Sequence, residues 1–153
     1  MSEANIRAQI YTILNAVANI GKVYDYERLT ADWNQFINLY KTQISAVDQI
    51  RGCQISRKSF REKKIVLGVG SSSHEKTHVF LIRGFLGVND ASATEKTFNA
   101  LIEAIATAFR TNKTLNGTAQ DHEFIQAESI EPRNFGGVLC HYAEMTLTVY
   151  ERI

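Results

Sequence analysis

The sequence predicts an α+β fold: a mainly antiparallel sheet with helices packed on one face, forming one domain over residues 1–153. Three observations carry this. Segments with helical and with two-residue apolar periodicity both occur. The strand-like runs stand next to one another instead of alternating with helices, which favours hairpins over βαβ crossovers. A chain of 153 residues that is 44% apolar has enough material for one core, and no internal repeat or linker divides it.

The elements follow in order. Ile6, Ile10, Ile13, Leu14 and Val17 recur at helical spacing, which predicts a helix over Glu3–Asn19 stopped by Gly21. KVYDYE, residues 22–27, predicts a short extended segment with Tyr24 and Tyr26 on one side. Thr30 is then placed to cap a helix over Ala31–Lys41, whose Trp33, Phe36, Ile37 and Tyr40 share a face. IRGCQISRK alternates weakly, as a half-exposed strand does, and SRKSFREKK reads as a basic connection into the apolar run IVLGVG. The polar residues 71–76, SSSHEK, predict a loop. THVFLIRGFLGV, rich in β-branched and aromatic residues, predicts a long buried strand.

Ser92 and Glu95 have the spacing of a capping box and open a helix striped by Phe98, Leu101, Ile102, Ile105 and Phe109, ending near Asn112. HEFIQAESI, residues 122–130, predicts a strand, and Pro132, Gly136 and Gly137 mark a turn. In the closing strand Leu139, Ala143, Met145, Leu147 and Val149 share one face. Cys140, Tyr142, Glu144, Thr146, Thr148 and Tyr150 share the other, which is expected to be wet or shared with a neighbour.

Composition narrows the function. One proline, nine glycines and two distant cysteines exclude collagen-like and disulfide-stapled classes. A formal charge of +1 argues against affinity drawn from bulk attraction to nucleic acid or anionic membrane. No apolar run reaches the roughly 20 residues of a membrane span. MSEANIRAQ lacks a basic start followed by an apolar stretch, so no secretory leader is expected, and the chain reads as a soluble protein of a reducing compartment.

Two motifs overlap in one stretch. HEKTH, residues 74–78, matches the zinc-protease pattern, in which a helix stacks two imidazoles on one metal with the glutamate as general base. The following VFLIRGF favours a strand, where His74 and His78 would stand about 13 Å apart at ~3.3 Å per residue. The extended motif also fails, since Leu81 holds its glycine position. GSSSHEKT, residues 70–77, has the length of a phosphate loop, but Glu75 replaces the second glycine and sets a carboxylate where phosphate would bind. Cys140 and His141, adjacent in a strand, point to opposite faces. His122, flanked by Asp121 and Glu123, reads as a solvated junction, and Arg57, Lys58, Arg61, Lys63 and Lys64 as a solvated basic hairpin. No nucleophile, base and oxyanion donor come together. The sequence therefore predicts no catalytic residue, no cofactor and no metal site, and a chain that is not an enzyme.

Three stretches, GKVYDYERLTADWNQFINLY, THVFLIRGFLGVNDASATEKTFNALIEAIATAF and EPRNFGGVLCHYAEMTLTVYE, together resemble the tail terminator (tail completion) proteins of tailed bacteriophages and prophages. The resemblance implies a mixed α and β fold and a homo-oligomeric ring, usually hexameric, on the end of the completed tail tube. It implies a tail tube protein and a head–neck connector protein as partners, and no membrane. It also implies no sequence-specific nucleic-acid contact, with room for DNA to pass through the ring. The location implied is the tail and neck of a virion, after assembly in the cytoplasm of a host bacterium. Such a ring closes by a heterologous interface. Tyr24, Tyr26, Trp33 and Tyr40 are the candidates for an inter-subunit or tube-facing patch, because aromatic residues are enriched at such contacts. The loop at 70–77 is expected to be mobile in the free subunit and ordered on assembly. The sequence leaves two alternatives to this function: a small zinc metallopeptidase using His74, Glu75 and His78, and a nucleic-acid adaptor using the basic hairpin at 57–64.

Overall fold

The computed structural model describes residues 2–66 and 72–153. The chain runs α1 (Glu3–Asn15), β1 (Lys22–Tyr24), α2 (Trp33–Asn38), β2 (Lys41–Ile44), β3 (Val47–Val66) and β4 (Ser72–Gly87). It continues through a 3-10 turn (Asp90–Ser92), α3 (Thr94–Arg110), β5 (Asp121–His122), β6 (Gln126–Phe135) and β7 (Val138–Arg152). The class is α+β, as the sequence predicts. The strand order is β1-β3-β4-β7-β5, with β2 also on β3 and β6 also on β7, and among the described residues only the β1–β3 pairing is parallel. β3, β4 and β7 form the antiparallel centre.

Pleating places alternate residues of the central strands in two cores. On one face Ile55 of β3, Phe80 and Ile82 of β4, and Met145, Leu147 and Val149 of β7 are buried with Ile6, Ile10 and Leu14 of α1 and Phe98, Ile105 and Phe109 of α3. The α3 stripe is the one the sequence predicts. The other face carries a second cluster, Phe85 of β4 and Cys140 and Tyr142 of β7 with Phe36, Ile37 and Tyr40 from α2 and its C-terminal turn and Phe135 of β6. The two long helices thus share one face as expected, while the short α2 stands over the opposite one.

Several local expectations are corrected. α1 ends at Asn15, four residues early, and α2 is shorter than Ala31–Lys41. Its cap is Asp32, which accepts from the Gln35 amide at 2.8 Å, and the Thr30 hydroxyl instead donates to the Asp32 carbonyl at 2.9 Å. Residues 56–64 are no connection. They continue β3, exposed on both faces from Arg57 to Lys64, so no apolar alternation marks them. Residues 72–76 are likewise strand, the start of β4, paired with β3 so that Lys76 stands opposite Glu62 and Glu75 opposite Lys63. Cross-strand charge pairs hold this polar stretch extended. The expected loop at Gly70 and Ser71, like the apolar residues 67–69, lies outside the described residues.

The Ser92/Glu95 capping box does not form. α3 begins after Ala93, which has φ 51° and gives no side-chain cap. The Thr94 hydroxyl donates to the Asn89 carbonyl at 3.1 Å, Asn89 Oδ1 accepts from the Ser92 amide at 3.3 Å, and Glu95 bonds Asn99. The strand expected at 122–130 is broken into β5 and β6, and Pro132 lies within β6 instead of the turn. The turn keeps Gly136 and Gly137.

Candidate interaction surface

The segment between β1 and α2 builds one wall of a groove on the α2 face. The backbone amide of Arg28 donates to Gln54 Oε1 at 3.2 Å, which also accepts from the buried Tyr40 hydroxyl at 2.7 Å. The Arg28 guanidinium lies 4.5 Å over the Tyr24 ring and 5.1 Å over Tyr26, so one cation bridges both rings. Trp33, the first residue of α2, meets Phe36 edge-on at 5.6 Å and Phe135 at 5.3 Å between ring centroids. Gly136 permits this approach, because a Cβ there would fall 2.4 Å from Trp33 Cβ at a backbone φ of +62°. The aromatic wall is therefore set by packing, and its outer members remain open: Tyr26 and Trp33 are each 53% exposed and Leu29 is 82% exposed.

The opposite wall and floor come from β4, β6 and β7, enclosing about 520 Å3. Arg83 bonds Glu27 at 2.7 Å and lies 3.7 Å from Glu144. Tyr142 donates to Glu144 at 2.6 Å, and Arg133, bonded to Glu131 at 2.7 Å, sits 4.2 Å over the Tyr142 ring. Burial, and then the hydrogen bond to Glu144, push the Tyr142 hydroxyl up to about 12. That same hydrogen bond, with Arg83 and Arg133 nearby, holds Glu144 below the ordinary carboxylate range against the contrary effect of its partial burial. Burial lowers Arg83, but the hydrogen bond to Glu27 and the charges of Tyr142, Glu27 and Glu144 together outweigh it, so the guanidinium is held more firmly charged. Arg83 and Arg133 each have a carboxylate partner, Glu27 and Glu131. The groove is a fixed polar and aromatic relief, suited to matching another protein surface.

The sequence-selected residues divide. Tyr26 and Trp33 stand on this surface. Tyr40 does not: it is fully buried, packed on Phe36 and Phe85, and belongs to the core. Tyr24 is half-buried, its hydroxyl donating to the Leu39 carbonyl at 2.7 Å. Arg28, Leu29, Arg83, Arg133 and Glu144 are additions from the structure. The alternating face of β7 that holds Tyr142 and Glu144 was the one sequence signal for them.

The motif residues lie elsewhere. His74 and His78 are both in β4, four residues apart in an extended strand, so the stacking on which the zinc motif depends is missing. His74 is 3.6 Å from Glu62, whereas His78 is buried with its Nε2 at 3.0 Å from Glu151. Phe60 and Phe80 flank the His78 ring. Among the described residues no three His, Cys, Asp or Glu side chains converge as a metal would require. Cys140 faces the α2 core and His141 the other side, where its Nε2 meets the Thr94 hydroxyl at 2.9 Å. His122 is not solvated as expected. It is buried, with Nε2 at 3.1 Å from the Phe109 carbonyl and 3.2 Å from that of Asn112, closing the C-terminus of α3. The basic residues Arg57, Lys58, Arg61, Lys63 and Lys64 are exposed along β3. No helix among the described residues is long and apolar enough to cross a membrane. No protein-family model and no curated protein sequence matches this chain.

Proposed function

We propose that this chain is a structural virion-assembly protein that caps the completed tail tube of a tailed phage. In this reading it forms a closed homo-oligomeric ring, hexameric by resemblance, that stops tube polymerisation and offers the joining surface for the head–neck connector. The observation that carries the reading is the exposed apolar relief of Tyr26, Leu29 and Trp33 beside the ion-paired groove. Such a surface recognises by shape and by desolvated aromatic anchors, with charge at its rim to fix register. The mechanism is asymmetry. One side of the ring matches the exposed end of the tube, and the other lacks the tube's growing surface, so addition ends there. No bond is made or broken.

The test is to add the chain to tail tube protein from the same phage as it polymerises and to measure tube length by electron microscopy. The expected result is tubes of arrested length, each ended by a ring. Trp33→Ala, which keeps the Cβ beside Gly136, is expected to weaken capping by roughly tenfold or more while leaving the fold intact. Tubes that grow equally long with and without the chain would refute the proposal.

A further inference from the structure

The two outer edges of the sheet carry opposite charge. On one side β1 and β2 cover β3 only as far as Gln54. Beyond it, among the described residues, no strand pairs with the outer edge of β3. That bare stretch presents Arg57, Lys58, Arg61, Lys63 and Lys64 against the single carboxylate Glu62, all exposed. On the far side, β5 and β6 both lie against β7 and their own outer edge is likewise unpaired among the described residues. From Asp121 to Phe135 this edge presents Asp121, Glu123, Glu128 and Glu131 against the single cation Arg133, again all exposed. The formal charge of the whole chain is only +1, so the molecule is close to neutral yet strongly divided.

Each edge also has apolar anchors. Phe60 is 57% exposed on the basic side, while Phe124 at 63% and Ile130 at 50% are exposed on the acidic side. A bare strand edge invites another strand, and proteins protect such edges with charge, bulges and proline. Both edges are guarded in this way. The pairing shifts register between Arg57 and Ser59 on β3 and between Ala127 and Ser129 on β6, and Pro132 lies in β6. Like charge opposes basic-to-basic and acidic-to-acidic pairing, which would give a closed dimer. Basic-to-acidic pairing remains favourable.

The geometry points to a second copy of this chain as the occupant: the basic outer edge of β3 in one subunit docks against the acidic β5–β6 edge of the next. This contact is heterologous, because the two surfaces differ, and repeated with constant rotation it closes a ring. The inference rests on the ring-forming reading above and names the surfaces that make the ring. The exposed Phe60, Phe124 and Ile130 supply apolar contact, and the charge division supplies direction and partner choice.

Two variants test it, each with full-length chain, with native mass spectrometry as the readout and circular dichroism as the check of folding. One reverses the acidic edge (Glu128→Lys with Glu131→Lys) and the other the basic edge (Lys58→Glu, Arg61→Glu and Lys64→Glu). All five positions are exposed, so both variants are expected to fold. Each alone should assemble roughly tenfold or more weakly than the natural chain, because both of its edges then share one sign. An equimolar mixture should recover assembly, with the two variants alternating around an even-numbered ring. Folded variants that each assemble like the natural chain would overturn the edge contact while leaving the ring itself standing. A mixture that stays dissociated would overturn it too. A natural chain that never self-associates would overturn both the edge contact and the ring.

Discussion

At the scale of single residues, the groove is organised by one hydrogen bond between neighbours on a strand face. Tyr142 donates to Glu144, and that contact moves both groups in opposite directions: the phenol up to about 12 and the carboxyl down. A carboxyl whose folded value is depressed adds stability above its ordinary value, near 4.5 here, and that contribution disappears as pH falls through the folded value. The phenol is raised in the folded state, so its contribution is whole below its ordinary value of 10.0 and lost as pH climbs towards about 12. Tyr142→Phe removes the bond and leaves the ring under Arg133. In that variant the Glu144 titration, followed by NMR of its side-chain carbonyl, is expected to shift upward towards 4.5, and the acid loss of stability attributable to Glu144 should shrink. An unchanged titration would show that Arg83 and Arg133 alone hold the carboxylate.

At the scale of elements, the structure separates what local pattern can show from what needs a neighbour. α3 was legible because five large apolar residues at helical spacing had no competing reading. Its start was not, because Ala93 occupies the left-handed region and the Thr94 hydroxyl that opens the helix bonds back to Asn89. The β2–β3 hairpin was missed for a related reason. Its turn residues Ser45 and Ala46 have φ of 53° and 63°, the conformation in which Asn-Gly is the usual signal, and neither residue gives that signal. Replacing them, Ser45→Asn with Ala46→Gly, is expected to stabilise the chain by about 1–2 kcal/mol, measured as a rise in denaturation midpoint with unchanged slope. The basic half of β3 was hidden by exposure on both faces, which removes the two-residue alternation. The candidate surface was half legible. Tyr26 and Trp33 could be picked as large aromatics outside the main stripes, but Tyr40 has the same character and lies in the core. Only the packing of α2 over Phe85 tells them apart. Arg28, Arg83 and Arg133 come from three distant segments that the sheet brings to one place.

At the scale of the whole molecule, three features coincide: two cores stabilising one twisted sheet, a rigid aromatic relief on one face, and opposite charge on the two free edges. A sheet filled from both faces is a stiff frame, and a stiff subunit with unlike edges meets its neighbour at a repeatable angle. That repeatability distinguishes a closing ring from a drifting filament. In this reading the edges join subunit to subunit and the α2 face with its groove remains for the tail partners, the two surfaces meeting at Glu131 and Arg133 of β6. The measurement that bears most directly on this is native mass spectrometry of the natural chain over a wide concentration range at physiological salt. The account predicts one discrete closed species, six subunits in number, with open intermediates scarce. A chain that remains monomeric throughout, or that grows into an unbounded ladder of sizes, would contradict it.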